Sequence, residues 1–176
     1  LFSDTCNFTT VSEQLKPAEV LDWLNRGMAI FVPAICNRGG MVNKFTGDGL
    51  MAVFGAPLSA GRREDAIAAV EAARAIQAGL ITLNAQLRAD GQPEMKLRIG
   101  LHSGDALAGS MGSSERLEYA VIGDTVNCAS RLESIDKTRH DNLCRVLASC
   151  RTKLLVEGDG TAPTPSQPLT WKPWGS

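Results

Sequence analysis

Apolar positions recur along the chain at two spacings, and those spacings predict most of its elements. After Lys16-Pro17, the residues Leu21, Leu24, Met28, Phe31 and Ile35 follow a helical period. Pro17 suits a first helical turn, Pro33 is expected to kink or divide the helix, and Gly39-Gly40 to stop it. A longer, Ala-rich helix is predicted over 63–88, with Ile67, Val70, Ala73, Leu80, Leu83 and Leu87 as its stripe. Residues 96–102 alternate as a strand, with Leu97, Ile99 and Leu101 on one face and Arg98 and His102 on the other. Residues 1–4 read as a short apolar strand, followed by the polar turn Thr5-Cys6-Asn7-Phe8-Thr9. The runs 41–45 and 50–54 flank Thr46-Gly47-Asp48-Gly49, a hairpin signal.

Further along, Gly104, Gly109 and Gly112 punctuate one strand, and 119–122 form another. Asp124 is placed to cap a helix reaching Ile135. Residues 146–148 suggest a last strand before a short helix near Lys153. Strands alternate with helices, yet hairpins are present. That mixture predicts an α/β (α+β) sandwich with a mostly antiparallel sheet and helices covering one face. One domain over 1–157 and a Pro/Gly-rich loop segment over 158–176 account for the 176 residues. The chain opens on Leu1 with no initiating Met and is read as a fragment of a longer protein.

Composition narrows the function classes. Hydrophobic residues make up 44% and charged residues 21%, values that suit a globular core. The formal net charge of −1 offers no basic surface for nucleic acid or an anionic membrane. Charge, Gly or Pro is expected to interrupt every apolar stretch before about 18 residues, so no membrane span is predicted. The five cysteines include no Cys-x-x-Cys pair and read as free thiols in a reducing compartment.

Candidate chemistry begins with two carboxylates. Asp4 ends the first strand and Asp48 lies at the hairpin tip. If those strands are neighbours, both side chains leave one sheet end, and a divalent cation would relieve their repulsion. Taken alone, each also reads as an ordinary turn residue. Asn127 and Arg131 are four apart on one helical face, an arrangement that suits a phosphate and a hydroxyl or simply a solvated surface. Arg98 could hold a phosphate or form a surface ion pair.

Five stretches together resemble the class III adenylyl/guanylyl cyclase catalytic domain: LFSDTCNFTTVSEQL from Leu1, VNKFTGDGLMAVFGAP from Val42, REDAIAAVEAA from Arg63, LRIGLHSGDALAGSMGS from Leu97 and EYAVIGDTVNCASRLES from Glu118. They run in the family's order over nearly all of residues 1–135. The resemblance implies a palm-like, ferredoxin-type sandwich working as a head-to-tail homodimer with composite sites. It implies that Asp4, Asp48 and the Thr5 carbonyl hold two divalent metal ions, Mg²⁺ or Mn²⁺. Asn127 and Arg131 match the pair that orients ribose and stabilises the transition state, and Arg98 matches a triphosphate-binding arginine. The turn of Asn7, Phe8 and Thr9 would bring backbone amides to the phosphates. Lys44 matches the base-selecting position, Lys in adenylyl cyclases and Glu in most guanylyl cyclases. Each site would take Asp4 and Asp48 from one copy and Lys44, Asn127 and Arg131 from the other.

Three positions depart from the family pattern. Ala120 stands where a second base-selecting Asp or Thr is usual. Asn7 replaces a usual Gly, and a C-terminal Lys-Gly-Lys-like strand is not recognisable. The expected function is an adenylyl cyclase converting ATP to 3′,5′-cyclic AMP and pyrophosphate. A guanylyl cyclase and a catalytically weak regulatory or dimerisation domain are the alternatives. The domain is expected in the cytoplasm, with any membrane attachment through parts outside this chain.

Overall fold

A computed structural model describes residues 1–135 and 143–158. The elements run β1 (Phe2–Thr5), α1 (Phe8–Gln14), α2 (Pro17–Cys36), β2 (Met41–Thr46), β3 (Gly49–Val53), α3 (Arg62–Ala89), β4 (Leu97–Leu101), β5 (Leu107–Gly112), β6 (Leu117–Ile122), α4 (Asp124–Ser134), β7 (Cys144–Ala148) and α5 (Cys150–Glu157). Five strands form one sheet in the order β2-β3-β1-β4-β7, while β5 and β6 form a separate antiparallel ribbon. Only the β4–β7 pair is parallel among the described strands. The mixed, largely antiparallel architecture is thus the one the hydrophobic pattern predicts.

β1 lies at the centre, pairing Ser3 with Leu50 of β3 and with Ile99 of β4. Leu97, Ile99 and Leu101 enter one core with Trp23, Phe31 and Ile35 of α2 and Val70, Ile76, Leu80, Leu83 and Leu87 of α3. Trp23 is fully buried, and its indole N–H donates to the Pro93 carbonyl at 2.8 Å. The buried Asn84 amide exchanges hydrogen bonds with the Met95 backbone at 2.9 and 2.7 Å, which fixes the chain as it enters β4. A polar side chain at such depth is tolerable because both its donor and its acceptor are satisfied.

The sheet is covered on both faces, not on one. Alternation sends Arg98 and Gly100 of β4 away from the α2/α3 core, toward α4. A Cβ at Gly100 would lie 2.2 Å from the Ala129 carbonyl oxygen and 2.4 Å from the Glu133 nitrogen, so glycine is what lets α4 settle there. Every residue of β4 is therefore buried, Arg98 included.

Several local expectations need correction. The segment after Asn7 is not only a turn: α1 forms over Phe8–Gln14 despite its weak helix formers, because Val11 is buried and Phe8 packs on the core. Pro33 does not divide α2, which is continuous through Cys36. Lying one turn from the helix end, Pro33 removes only one late backbone bond. Gly123, not Asp124, precedes α4; its φ of 148° brings the chain in at an angle that disfavours other residues, and Asp124 is the first helical residue. Glu71 and Arg74 do interrupt α3 near its middle, as expected, yet the helix is long and apolar enough by composition alone to cross a membrane. That helix instead lies on the sheet with its apolar stripe in the core. All five cysteines are free. Of the expected 158–176 loop, all but Gly158 lies outside the described residues.

Candidate functional site

The β2–β3 hairpin brings Asp48 to Asp4. The Gly47-Asp48 turn carries Gly47 at φ 73°, a left-handed conformation natural to glycine. The next residue, Gly49, lies against β1 so closely that an added Cβ would stand 2.0 Å from the Ser3 carbonyl oxygen and 3.0 Å from the Asp4 Cα. The Asp-Gly dipeptide therefore does two things: it makes the turn, and it allows the tip to reach β1.

Two hydrogen bonds hold Asp48 there. The Thr5 N–H donates to Asp48 Oδ2 at 3.3 Å, and the Thr5 hydroxyl donates to the Asp48 carbonyl at 2.8 Å. Burial, then the neighbouring Asp4 carboxylate, push the Asp48 carboxyl above its ordinary value. Like charges brought together in a half-buried place call for a cation. The donor set is all oxygen, which suits a hard divalent ion whose remaining ligands are phosphate and water. Among the described residues no group of three or more His, Cys, Asp or Glu gathers as a self-sufficient metal cage. The Asp4 and Asp48 carboxylates are oxygen donors that substrate and water could complete around such an ion.

Asn7 follows at φ 57°, in the left-handed region, and precedes α1. The family's usual Gly is replaced by one of the few side-chain-bearing residues that adopts this conformation at modest cost. The first intrahelical bond of α1 runs from the Val11 N–H to the Asn7 carbonyl at 3.1 Å, so the N–H groups of Phe8 and Thr9 precede the ladder.

Arg98 does form an ion pair, but a buried one and not one at the surface. It is 5% exposed, and its guanidinium forks between two carboxylates. Nε donates to Glu133 Oε1 at 3.0 Å, and Nη2 is ion-paired with Asp4 Oδ2. Glu133 is itself buried and accepts from the Ser134 hydroxyl at 2.8 Å. No sequence expectation included Glu133. A signal existed: it lies four residues after the buried Ala129, so a charged residue falls on the inward face of α4 and requires a buried cation.

On the same helix, Asn127 and Arg131 are exposed, turned away from the sheet that Ala129 and Glu133 meet. Lys44 is exposed on β2 and Ala120 half-buried on β6. The strands carrying them are tied by the Asn43 amide, which donates to the Tyr119 carbonyl at 2.7 Å. Asn43 can reach because it bulges from the ladder between Val42 and Lys44. A separate cavity of about 570 Å³ opens at the other end of β1, lined by Leu1, Val53, Leu101, His102 and Arg151; it is remote from Asp4 and Asp48 in the strand register.

Residues 1–156 match the model of the adenylate and guanylate cyclase catalytic domain. This chain belongs to that family. A relative named adenylate cyclase 1 from Rhizobium meliloti (strain 1021) is 36% identical over 165 residues, 92% of this chain and 24% of that protein. The chain thus spans about a quarter of the length of that curated relative. Among solved cyclases, the adenylyl cyclase CyaB from P. aeruginosa is similar with a TM-score of 0.81 and 34% identity, over 89% of this chain and 78% of that one. The guanylyl cyclase Cya2 is similar with a TM-score of 0.79 and 32% identity, over 99% and 84%. The cyclase fold and family are thereby established for this chain, with both base specificities represented among its neighbours.

Proposed function

We propose that this cyclase domain converts ATP to 3′,5′-cyclic AMP and pyrophosphate, in composite sites formed by two copies. The observation that carries the proposal is the convergence of Asp4 and Asp48 at one sheet end, enforced by Gly49 and Thr5. Two divalent ions held there would supply Lewis-acid activation of the ribose 3′-hydroxyl and charge neutralisation on the departing pyrophosphate. The protein's own contribution is placement. Asp4 and Asp48 fix where the triphosphate docks, and the leading N–H groups of α1 favour its charge. Asn127 orients the ribose through its amide, and Arg131 offers a planar fork to the phosphoryl oxygens as negative charge builds.

The dimer follows from what one copy leaves open. Asn127 and Arg131 face outward, and the β5–β6 ribbon exposes Leu107, Met111, Leu117 and Ile122. A second copy in head-to-tail arrangement would cover that apolar ribbon and bring Lys44, Asn127 and Arg131 to the partner's carboxylates. Residues 1–157 are taken as the catalytic unit.

Lys44 supports adenine. An ammonium donates, and adenine N1 accepts; guanine presents a donor at that place. Ala120 supports a second reading, a guanylyl cyclase, because its methyl cannot accept from the adenine amino group. Incubating the purified chain with ATP or GTP, each with Mg²⁺ or Mn²⁺, separates them. Cyclic AMP as the major product is expected; a preference for GTP overturns the adenylyl assignment, and no product with either overturns catalysis.

A further inference from the structure

The buried carboxylate Glu133 has no role in the chemistry described above, yet it belongs to the same charged cluster as Asp4. The chain runs Asp4–Arg98–Glu133, from β1 through β4 to α4. Side-chain exposures along it are 24%, 6% and 9%. Long charged side chains held at this depth are not solvated ornaments. Each must be matched by its neighbours, and the geometry of the match is fixed by packing.

We propose that Glu133 is a positioning residue for divalent-metal binding, acting through Arg98 on the Asp4 carboxylate. The proposal rests on the two-carboxylate metal site described above.

Two physical effects point the same way. Arg98 engages Oδ2 of Asp4, which fixes the carboxylate and leaves Oδ1 outside that ion pair. A guanidinium beside a metal ligand would, alone, oppose a second cation. Glu133 offsets that charge, so Arg98 can orient Asp4 without closing it into a private ion pair. The position of Glu133 is also fixed from outside the cluster: α4 rests on Gly100, with the Glu133 nitrogen at 2.4 Å from where a Cβ would be. In this arrangement Nε and Nη2 of Arg98 are the nitrogens that carry the orientation, one on each carboxylate.

The test is the charge-only change Glu133→Gln. Glutamine keeps the shape, can still accept from Arg98 Nε, and can donate to the Ser134 hydroxyl, so the fold is expected to survive. Mn²⁺ is titrated without nucleotide and free Mn²⁺ is read by electron paramagnetic resonance. Affinity is expected to fall about 10-fold or more, with the metal-free melting temperature near that of wild type. In turnover, the Mn²⁺ activation constant should rise while kcat at saturating Mn²⁺ changes less. Should Glu133→Gln melt early, Arg98→Lys, which keeps a cation but loses the fork, is titrated and should also bind Mn²⁺ more weakly. Asp48→Ala serves as the control. If Asp48→Ala loses Mn²⁺ while Glu133→Gln binds as wild type does, the positioning role is wrong and the metal site stands. If Asp48→Ala itself binds Mn²⁺ as wild type does, the site and the positioning role fall together.

Discussion

Gly49 touches Ser3: a methyl group on the Gly49 Cα would stand 2.0 Å from the Ser3 carbonyl oxygen. The obstacle is backbone of the central strand, which cannot step aside as a flexible side chain can. Gly49→Ala is expected to push the hairpin tip off β1 and cost about 2 kcal/mol, a fall of ~4–8 °C in melting temperature for a domain of this size. Because Asp48 rides on that tip, cyclase activity should fall much further than residual stability explains. A melt alongside a cyclic-nucleotide assay checks both.

Asp48 links the site to pH. Its carboxyl is raised, so the folded protein favours the neutral form. The sign follows from linkage: stability from this group is fully present below the unfolded carboxylate value and is lost as pH rises through the elevated folded value. Metal-free protein should therefore gain stability on mild acidification. Mn²⁺ affinity should decline over the same range, since protons and metal compete for Asp48. Asp48→Asn should raise the metal-free melting temperature by ~2 °C or more and remove both dependences. Melting curves from pH 7 to 4.5, with and without Mn²⁺, decide this.

Composite sites predict complementation. Asp48→Ala and Arg131→Ala should each be inactive, or weaker by about 10²–10³ in kcat for the arginine. Arg131 is exposed, so its loss should leave the melting temperature nearly unchanged. Mixing the two variants should restore activity, toward roughly a quarter of wild type if copies exchange freely, because each mixed dimer holds one intact site. Absence of recovery, with dimers shown to exchange, contradicts the head-to-tail arrangement.

Base choice should follow Lys44. Lys44→Glu replaces a donor with an acceptor and is expected to lower kcat/KM for ATP by about 10- to 100-fold while raising the GTP/ATP ratio. The Asn43–Tyr119 bond places β2 beside β6, so Asn43→Ala should loosen base discrimination more than it lowers total turnover. Steady-state kinetics with both nucleotides measures each effect.

Thiol chemistry probes the fold independently of catalysis. Burial pushes the Cys144 thiol up to about 12 and raises Cys6 as well, whereas Cys36 and Cys150 are exposed. A thiol reagent at neutral pH should label Cys36 and Cys150 quickly, and Cys6 and Cys144 only on unfolding. Peptide mapping after a short exposure reads the order.

Periodicity made the large elements legible. The stripes of α2 and α3 and the alternation of β4 are regular because each faces one core. It failed where tertiary contacts override local preference. α1 has Thr9, Thr10 and Val11 in a helix, which propensity alone does not suggest. Arg98 alternates onto what reads as a polar face, and only the packing of α4 on Gly100 turns that face inward. The two aspartates were visible as residues, but their convergence depends on strand order, β3 beside β1, which no local spacing encodes. Glu133 is not legible in the sequence because a glutamate near the end of a helix is ordinary unless its register, four residues after Ala129, turns it inward.

Asp4 and Asp48 are expected to share divalent metal, and a Mn²⁺ titration of wild type, Asp4→Asn and Asp48→Asn, read by paramagnetic resonance, tests this most directly. Saturable Mn²⁺ binding in wild type, lost or weakened at least 10-fold in both variants while each still melts cooperatively, is the expected result. Equal binding in all three proteins would contradict it.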